Sequence, residues 1–478
     1  MAEKDSKDKR TKYQKLEEKL AFKKKSAWEQ FTDKQKKEVF LLCDRYKQFL
    51  GKVKTEREAV HEIEAFAKKN DFFDISKVNK LMPGSKVYDI HKDKNAALVI
   101  AGKRPLSSGA RIIVSHIDSP RLDLKPKPLY EDSGLAMMKT HYYGGIKKYQ
   151  WVNTPLSLHG VVVKKDGKKV EINIGEDPKD PVFVVSDLLP HLSSKEQNKR
   201  TAVDIIKGEE LNLIVGNIPV DDDKVKQKIK LAVLEHLFDK YGMVEEDFVS
   251  AELEAVPADA PRDVGFDRAI VGGYGQDDRV SAFASLSALD SIETPEHTVI
   301  VLFYDKEEIG SVGNTGSRSN YIEYIFGMIL GQAGQDNSAH NIRKSLINSI
   351  ALSADVSAAV NPTFKSVNDM YNAHLCGFGV ALEKYNGAGG KYSASDASAE
   401  LVGKIRNLFD DNKVPWQAGE LGKVDEGGGT TIAVFFASHG MDIIDVGVPI
   451  LGMHSPFEMV SKADIYSAYL AYKAFISL

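Results

Sequence analysis

The segment His297-Thr298-Val299-Ile300-Val301-Leu302-Phe303-Tyr304-Asp305-Lys306-Glu307-Glu308-Ile309-Gly310-Ser311 constrains this chain more than any other. Six consecutive apolar residues, Val299 to Tyr304, give way to three acids within four positions, Asp305, Glu307 and Glu308. The run is β-branched and aromatic, so it reads as a strand buried on both faces of a parallel sheet. In α/β proteins ligands occupy the crevice beyond the carboxyl ends of such strands, which is where these acids fall. Two adjacent glutamates there repel each other unless a cation or a proton intervenes. The pattern points to a metal site or an acid/base pair.

A chain of 478 residues outgrows a single core and is expected to form two domains. With 42% hydrophobic and 28% charged residues it has the composition of a soluble globular protein. A net charge of −4 supplies no global field toward nucleic acid or membrane partners. Cys43 and Cys376, the only cysteines, provide neither a disulfide framework nor a thiolate metal site, which favours a reducing compartment. No apolar run reaches membrane-spanning length. Lysines and acids recur through Met1 to Lys25, where a signal peptide would need an apolar core. The expectation is a soluble, cytoplasmic protein whose Lys-rich N-terminus is a frayed or helical tail, the interspersed acids weighing against a nucleic-acid arm.

Between Ala27 and Asn70 the apolar residues recur at helical spacing and predict two amphipathic helices. Strands are expected at Ala96 to Ala101 and Arg111 to Ser115. Residues 125–256 differ in texture: short strands at Leu156 to Val163, Val170 to Ile174 and Val182 to Val185 are separated by turns such as Lys165-Asp166-Gly167. They read as a mostly-β insertion. Afterwards helix and strand alternate again, with a helix from about Asp277, a strand at Ser349 to Ser353, a helix at Ala397 to Leu408, a strand at Met441 to Val448 and a C-terminal helix from Ala463. The simplest architecture is an α/β domain, 1–124 and 257–478, interrupted by a β-rich domain, 125–256.

The strand-end acids have counterparts along the chain. Ile112-Ile113-Val114-Ser115 runs into His116-Ile117-Asp118-Ser119-Pro120, and Ser349 to Ser353 runs into Ala354-Asp355. The strand ending at Val446-Gly447-Val448 leads to Met453-His454-Ser455-Pro456, and Asp277-Asp278 opens a helix after Gly272-Gly273-Tyr274-Gly275. Singly, a loop histidine is a hydrogen-bonding group, an Asp at a helix start is a cap, and paired acids are solvated surface. Together, two histidines and several carboxylates at strand ends suit Zn²⁺ or a similar ion.

His116-Ile117-Asp118-Ser119-Pro120-Arg121-Leu122-Asp123, Asp305-Lys306-Glu307-Glu308-Ile309-Gly310-Ser311, Ser353-Ala354-Asp355-Val356 and Met453-His454-Ser455 resemble, in order and spacing, the motifs of the aminopeptidase I (aspartyl aminopeptidase) family of co-catalytic zinc peptidases. The resemblance spans Leu98 to Ile476. It implies a zinc-exopeptidase-like fold: a mixed sheet flanked by helices (a phosphorylase/hydrolase-like core), with the 125–256 insertion in the position of the family's oligomerisation domain. It also implies that Asp277 bridges two divalent ions, zinc with cobalt or manganese as alternatives. His116 and Asp355 would complete one site, Glu308 and His454 the other. The family usually has Leu-Asp-Asn at the bridging segment, where this chain has Gln276-Asp277-Asp278-Arg279. Asp277 aligns with the family Asp, and Asp278 stands where Asn would be.

In the reaction so implied, a water held between the metals attacks the scissile carbonyl of a short peptide, Glu307 acts as general base, and Asp118 orients His116. Asp425-Glu426-Gly427-Gly428-Gly429-Thr430-Thr431 lacks the lysine and spacing of a P-loop. The family has a similar Gly-Thr-Thr segment near its active site, which makes Gly429 and Thr430 candidates for the substrate cleft. Lys384 falls where acid-preferring members carry a lysine that meets the substrate carboxylate, and Lys391 is a second candidate. His191 lies in a segment resembling one that reaches a neighbouring subunit's active site, although the family's second histidine, four residues on, is Lys195 here. Ser311 and Ser455 lack the Gly-x-Ser-x-Gly turn of a serine hydrolase. The reading is a two-metal aminopeptidase in a self-compartmentalising homo-oligomer, a tetrahedral dodecamer by the resemblance, without nucleic-acid or membrane partners. The rivals are a related metal-dependent deacylase or amidase and a non-catalytic metal-binding scaffold.

Overall fold

The structure, a computed structural model, describes residues 10–290 and 292–478. Part of the Lys-rich N-terminus, before residue 10, lies outside the described residues. The helix Lys12–Leu20 follows it, opened by a Thr11/Gln14 capping box. The two expected amphipathic helices are Asp33–Lys52 and Glu56–Lys69, each started by a threonine capping box at Thr32 and Thr55.

The largest sheet contains, in spatial order, Phe73–Asp74, Lys86–His91, Asn95–Ile100, Val299–Tyr304, Arg111–His116, Ile350–Ser353, Asp442–Gly447, Val380–Glu383 and Trp416–Ala418. Val299–Tyr304 is buried along its whole length. Val299, Val301 and Phe303 enter one hydrophobic cluster and Ile300, Leu302 and Tyr304 another, so alternate side chains serve opposite faces of the sheet. Helices on both faces, Gln276–Leu289 and Lys462–Ile476 on one and Tyr321–Gln332 on the other, exclude water from those clusters. Leu302→Ala in this core is expected to cost about 2–5 kcal/mol of stability, read from the shift in a denaturant unfolding midpoint.

The expectation of a parallel surround for this strand holds on one side only. Val299–Tyr304 runs parallel to Arg111–His116 but antiparallel to Asn95–Ile100. The reversal comes from the hairpin joining Lys86–His91 to Asn95–Ile100, turned by Lys92 and Asp93 at positive φ. From Val299–Tyr304 across Arg111–His116 and Ile350–Ser353 to Asp442–Gly447, neighbouring strands are all parallel. Their carboxyl ends therefore share one edge.

A second sheet of seven strands is built entirely from the chain between Arg121 and Pro257 and encloses its own core around Trp151, Leu156 and Leu253. It also carries the helices Pro190–Glu196 and Lys228–Tyr241, so its texture is less purely β than the turn-rich sequence suggests. Val182 to Val185 shortens to the strand Val184–Val185, with Phe183 bridging Leu156. A third sheet, absent from the sequence reading, joins Arg262–Val264, Ile270–Gly273, Glu458–Ser461, Pro449–Leu451 and Ser357–Ala358. Its strands are too short for periodicity to reveal. Among the described residues no helix is long and apolar enough to cross a membrane.

Candidate metal centre

Four elements converge beyond the shared strand edge. Arg111–His116 ends in His116 itself, and Val299–Tyr304 continues through Asp305 into the short helix Glu307–Ile309. Ile350–Ser353 continues to Asp355. A Cβ on Gly447, at the end of Asp442–Gly447, would collide with the Asp355 carbonyl oxygen, so only glycine lets these strand ends meet. The small third sheet supplies the rest. Gly273 pairs in register with Glu458, which brings the start of helix Gln276–Leu289 beside the loop that carries His454. Glu458, buried and unnoticed in the sequence, accepts from Asp277 N–H at 3.1 Å and His454 N–H at 2.8 Å and ties the two segments together.

The resulting geometry centres on Asp277. Its Oδ1 lies 3.1 Å from His116 Nε2 and its Oδ2 lies 3.3 Å from His454 Nε2. His116 Nε2 is also 3.8 Å from Asp355 Oδ1, and His454 Nε2 is 3.3 Å from Glu308 Oε2. Ligand atoms of His116, Asp277 and Glu308 lie within 4.8 Å of one another, as do those of His116, Asp278 and Asp355. Asp278 reaches the second group while its Oδ2 accepts from the His116 backbone N–H at 3.4 Å. The peptide between Asp277 and Asp278 is cis.

Both imidazoles are oriented from behind. His116 Nδ1 donates to the Asp118 carbonyl at 3.0 Å, and His454 Nδ1 donates to the Gly145 carbonyl at 2.8 Å. A carbonyl oxygen only accepts, so each Nδ1 carries hydrogen and each Nε2 is left to face the carboxylates. His116, Asp118 and Asp277 are almost wholly buried, whereas the His454 side chain is 32% exposed. The cleft therefore opens on the His454 side.

The charges need a partner. Burial pushes the carboxyls of Glu308, Asp355 and Asp278 well above their ordinary range, and neighbouring acids add to the shift. Burial also opposes ionisation of Asp277, but His116 and His454 against its two oxygens hold it below the usual range. Glu308 Oε1 and Asp278 Oδ1 are buried without a hydrogen-bond partner. A nitrogen and oxygen donor set with an orphaned buried carboxylate oxygen fits divalent cations of the zinc type, which would neutralise these acids.

Glu307 stands apart. It belongs to neither ligand group, is half-buried, and is pushed up to about 7 by burial and by Asp118 and Asp277 against the pull of His116 and His454. Its backbone N–H donates to Asp118 Oδ1 at 3.1 Å, and that of Glu308 to Asp118 Oδ2 at 3.2 Å. Asp118 thus clamps the Glu307–Glu308 turn as well as standing behind His116. Burial disfavours its charge, but hydrogen bonds with His116 and Tyr143 hold it below its usual range.

The remaining sequence candidates are Gly429, Thr430, Lys384, Lys391 and His191. Gly387 N–H donates to the Gly429 carbonyl, which joins the loop after Val380–Glu383 to the glycine-rich segment. Thr431 and Asn386 both hydrogen-bond Asp445, whose register partner Ser353 lies two residues before Asp355. Gly429 and Thr430 are exposed at that junction. Lys384 is exposed, and Lys391 stacks its ammonium 3.7 Å from the Tyr385 ring centroid and pairs with Asp396 at 3.4 Å. His191 is exposed on helix Pro190–Glu196 in the second sheet's domain. No hydrogen bond or ion pair joins any of these five to the centre among the described residues.

The chain resembles known proteins over nearly its whole length. The model of the family described as aminopeptidase I zinc metalloprotease (M18) matches residues 49–476. A probable M18 family aminopeptidase 1 from Borrelia garinii is 49% identical over 455 residues, covering 95% of this chain and 99% of that protein. A crystal structure of an M18 family aminopeptidase from Thermotoga maritima superposes with a TM-score of 0.92 at 45% identity, covering 95% of this chain and 99% of that one. The S. cerevisiae mApe1 dodecamer shares the fold, with a TM-score of 0.73 at 22% identity over 90% of this chain and 95% of that one.

Proposed function

The chain belongs to the aminopeptidase I zinc metalloprotease (M18) family and is a metallo-aminopeptidase, and on that premise we propose how its own residues divide the work. His116, Asp355 and Asp277 would hold one divalent ion, and Glu308, His454 and Asp277 would hold a second. The observation that carries this reading is the Asp277 carboxylate, whose two oxygens face two different histidines. Zinc is the expected metal, with cobalt or manganese accepted by the same donors. When bound, such ions polarise the scissile carbonyl and acidify water.

Glu307 takes the proton from the attacking water and returns it to the leaving amine. Its freedom from the ligand groups and its half-buried position suit that role, and Asp118 fixes the turn on which it sits. Glu308, the next residue along the chain, would be committed to a cation and so stay ionised. The free α-amine of a peptide meets the same carboxylate-rich cleft from the His454 side, which selects exopeptidase over endopeptidase cleavage.

We further propose that the substrates are short peptides and that residues 125–256 form the inserted oligomerisation domain of a cytoplasmic homo-oligomer, a tetrahedral dodecamer in which His191 comes close to a neighbouring copy's cleft. Lys384 and Lys391 flank the cleft as candidates for an acidic P1 side chain, beside Gly429 and Thr430.

The test is a panel of free-amine aminoacyl substrates (Asp, Glu, Leu, Met, Lys) and their N-acetylated counterparts, assayed before and after chelation. Free-amine substrates are expected to be cleaved, activity to vanish on chelation and to return with zinc. Cleavage of the acetylated set alone would identify a deacylase instead. Full activity after complete metal removal would end the two-metal reading. Selective loss of Asp and Glu cleavage in Lys384→Met or Lys391→Met would assign the acid-binding lysine.

A further inference from the structure

Asp118 is reached from the second sheet by a residue that the metal-site motifs do not include. Tyr143, the last residue of Leu135–Tyr143, donates its hydroxyl to Asp118 Oδ2 at 2.8 Å. The same Asp118 carboxylate receives the Glu307 and Glu308 backbone N–H groups and lies 3.3 Å from His116 Nδ1 through Oδ1. One tyrosine hydroxyl therefore completes the set of bonds that fixes a carboxylate touching a metal-facing histidine and the Glu307–Glu308 turn together.

The tyrosine is itself braced. Arg121, its cross-strand register partner, lies with its guanidinium carbon 3.9 Å from the ring centroid. Arg121 is gripped by Asp123 at 2.8 Å, Glu254 at 3.1 Å and Glu56 at 3.3 Å, on two strands of the second sheet and on helix Glu56–Lys69. A cavity of about 290 Å³, lined by Arg121, Tyr143, Glu254 and Asp305, borders the ring. The hydroxyl bond to Asp118 and the stack on Arg121 hold it beside this cavity.

Two residues further along, the same segment touches the other half of the centre. The Gly145 carbonyl is the acceptor that orients His454. Gly144, at φ 74°, passes so close that a Cβ would lie 3.4 Å from the Glu308 side chain. The end of one second-sheet strand thus supports both histidines and borders Glu308.

We propose that Tyr143 is a positioning residue through which the inserted sheet sets the metal affinity of the catalytic domain, acting on His116 and the Glu307–Glu308 turn by way of Asp118. This rests on the ligand assignment above. Groups standing behind metal ligands typically contribute about 10- to 100-fold in affinity, and Tyr143 is expected to fall in that range.

The experiment measures Zn²⁺ affinity of the full chain by competition with a chromogenic chelator, alongside melting temperature, the visible spectrum of the Co²⁺-loaded protein, and kcat and KM. Tyr143→Phe removes the hydroxyl but keeps the ring on Arg121. Tyr143→Leu removes both. Tyr142→Phe, on the adjacent and more exposed ring, is the control and should match wild type. Both Tyr143 variants are expected to bind zinc about 10- to 100-fold more weakly and to alter the Co²⁺ bands, with kcat falling more than KM rises. In the absence of zinc, only the Leu variant should melt markedly lower. Zinc affinity unchanged in Tyr143→Phe, or affinity loss that tracks melting temperature across the two variants, would overturn the proposal. Failure of the wild-type chain to bind zinc would instead overturn the ligand assignment on which it rests.

Discussion

Glu307→Gln is expected to lower kcat by about 10²- to 10⁴-fold while leaving bound zinc and melting temperature as in the wild type. Glutamine keeps the size and shape of the side chain, so the half-buried space beside Asp118 and Asp277 is filled as before. The backbone N–H that donates to Asp118 Oδ1 is also kept, so the turn does not move. What is lost is the capacity to accept a proton and return it. Because Glu307 lies outside both groups of convergent ligand atoms, its replacement should not expel metal. A fall in kcat with unchanged KM is the signature of an interaction made only in the transition state. The measurement is steady-state kinetics on a free-amine substrate with zinc content determined on the same sample. An unaltered kcat would remove Glu307 from its role, whereas a parallel loss of zinc would make it a ligand rather than a base.

The second large effect is expected at Asp277. Asp277→Ala removes the only carboxylate among the described residues whose two oxygens face His116 and His454 separately, so both ion sites should weaken at once. Zinc at about 100 times its dissociation constant stabilises a native protein by roughly 2.7 kcal/mol per site. The wild type should show a zinc-dependent rise in melting temperature that the variant largely lacks, and the variant should be inactive. Asp278→Asn provides the contrast. Asparagine retains an oxygen to accept from the His116 backbone N–H, so zinc binding and activity should survive. If Asp278→Asn lost zinc and Asp277→Ala kept it, the bridging role would pass to Asp278.

Much of this site is legible along the chain because its parts are local. A β-branched run that stops at acids marks a buried strand and its exit, and Val299–Tyr304, Arg111–His116, Ile350–Ser353 and Asp442–Gly447 all lie where the sequence places them to within a residue or two at either end. Residues at or just past those ends, His116, Glu307, Glu308 and Asp355, gather because the four strands are parallel neighbours. Asn95–Ile100 is also expected, at Ala96 to Ala101, but its antiparallel direction is not, because strand direction is set by a distant pairing and the apolar run is the same in either direction. The third sheet escaped because its strands of two to four residues carry no periodicity.

Glu458, Tyr143 and Gly145 illustrate the harder case. Glu458 reads as one acid among many until its two oxygens are seen to accept from Asp277 and His454. Tyr143 ends an ordinary alternating strand, and a backbone carbonyl such as that of Gly145 has no sequence signal at all.

The sequence by itself determined which residues bring chemistry to strand ends, because burial pattern and side-chain type are properties of short segments. Only the tertiary structure decided that Asp277 faces both histidines, that Glu307 is left out of the ligand groups while Glu308 is drawn in, and that the inserted sheet reaches back to Asp118 and His454. Those relations depend on hydrogen bonds and close approaches between segments far apart in the chain, and such contacts exist only once the strands have paired.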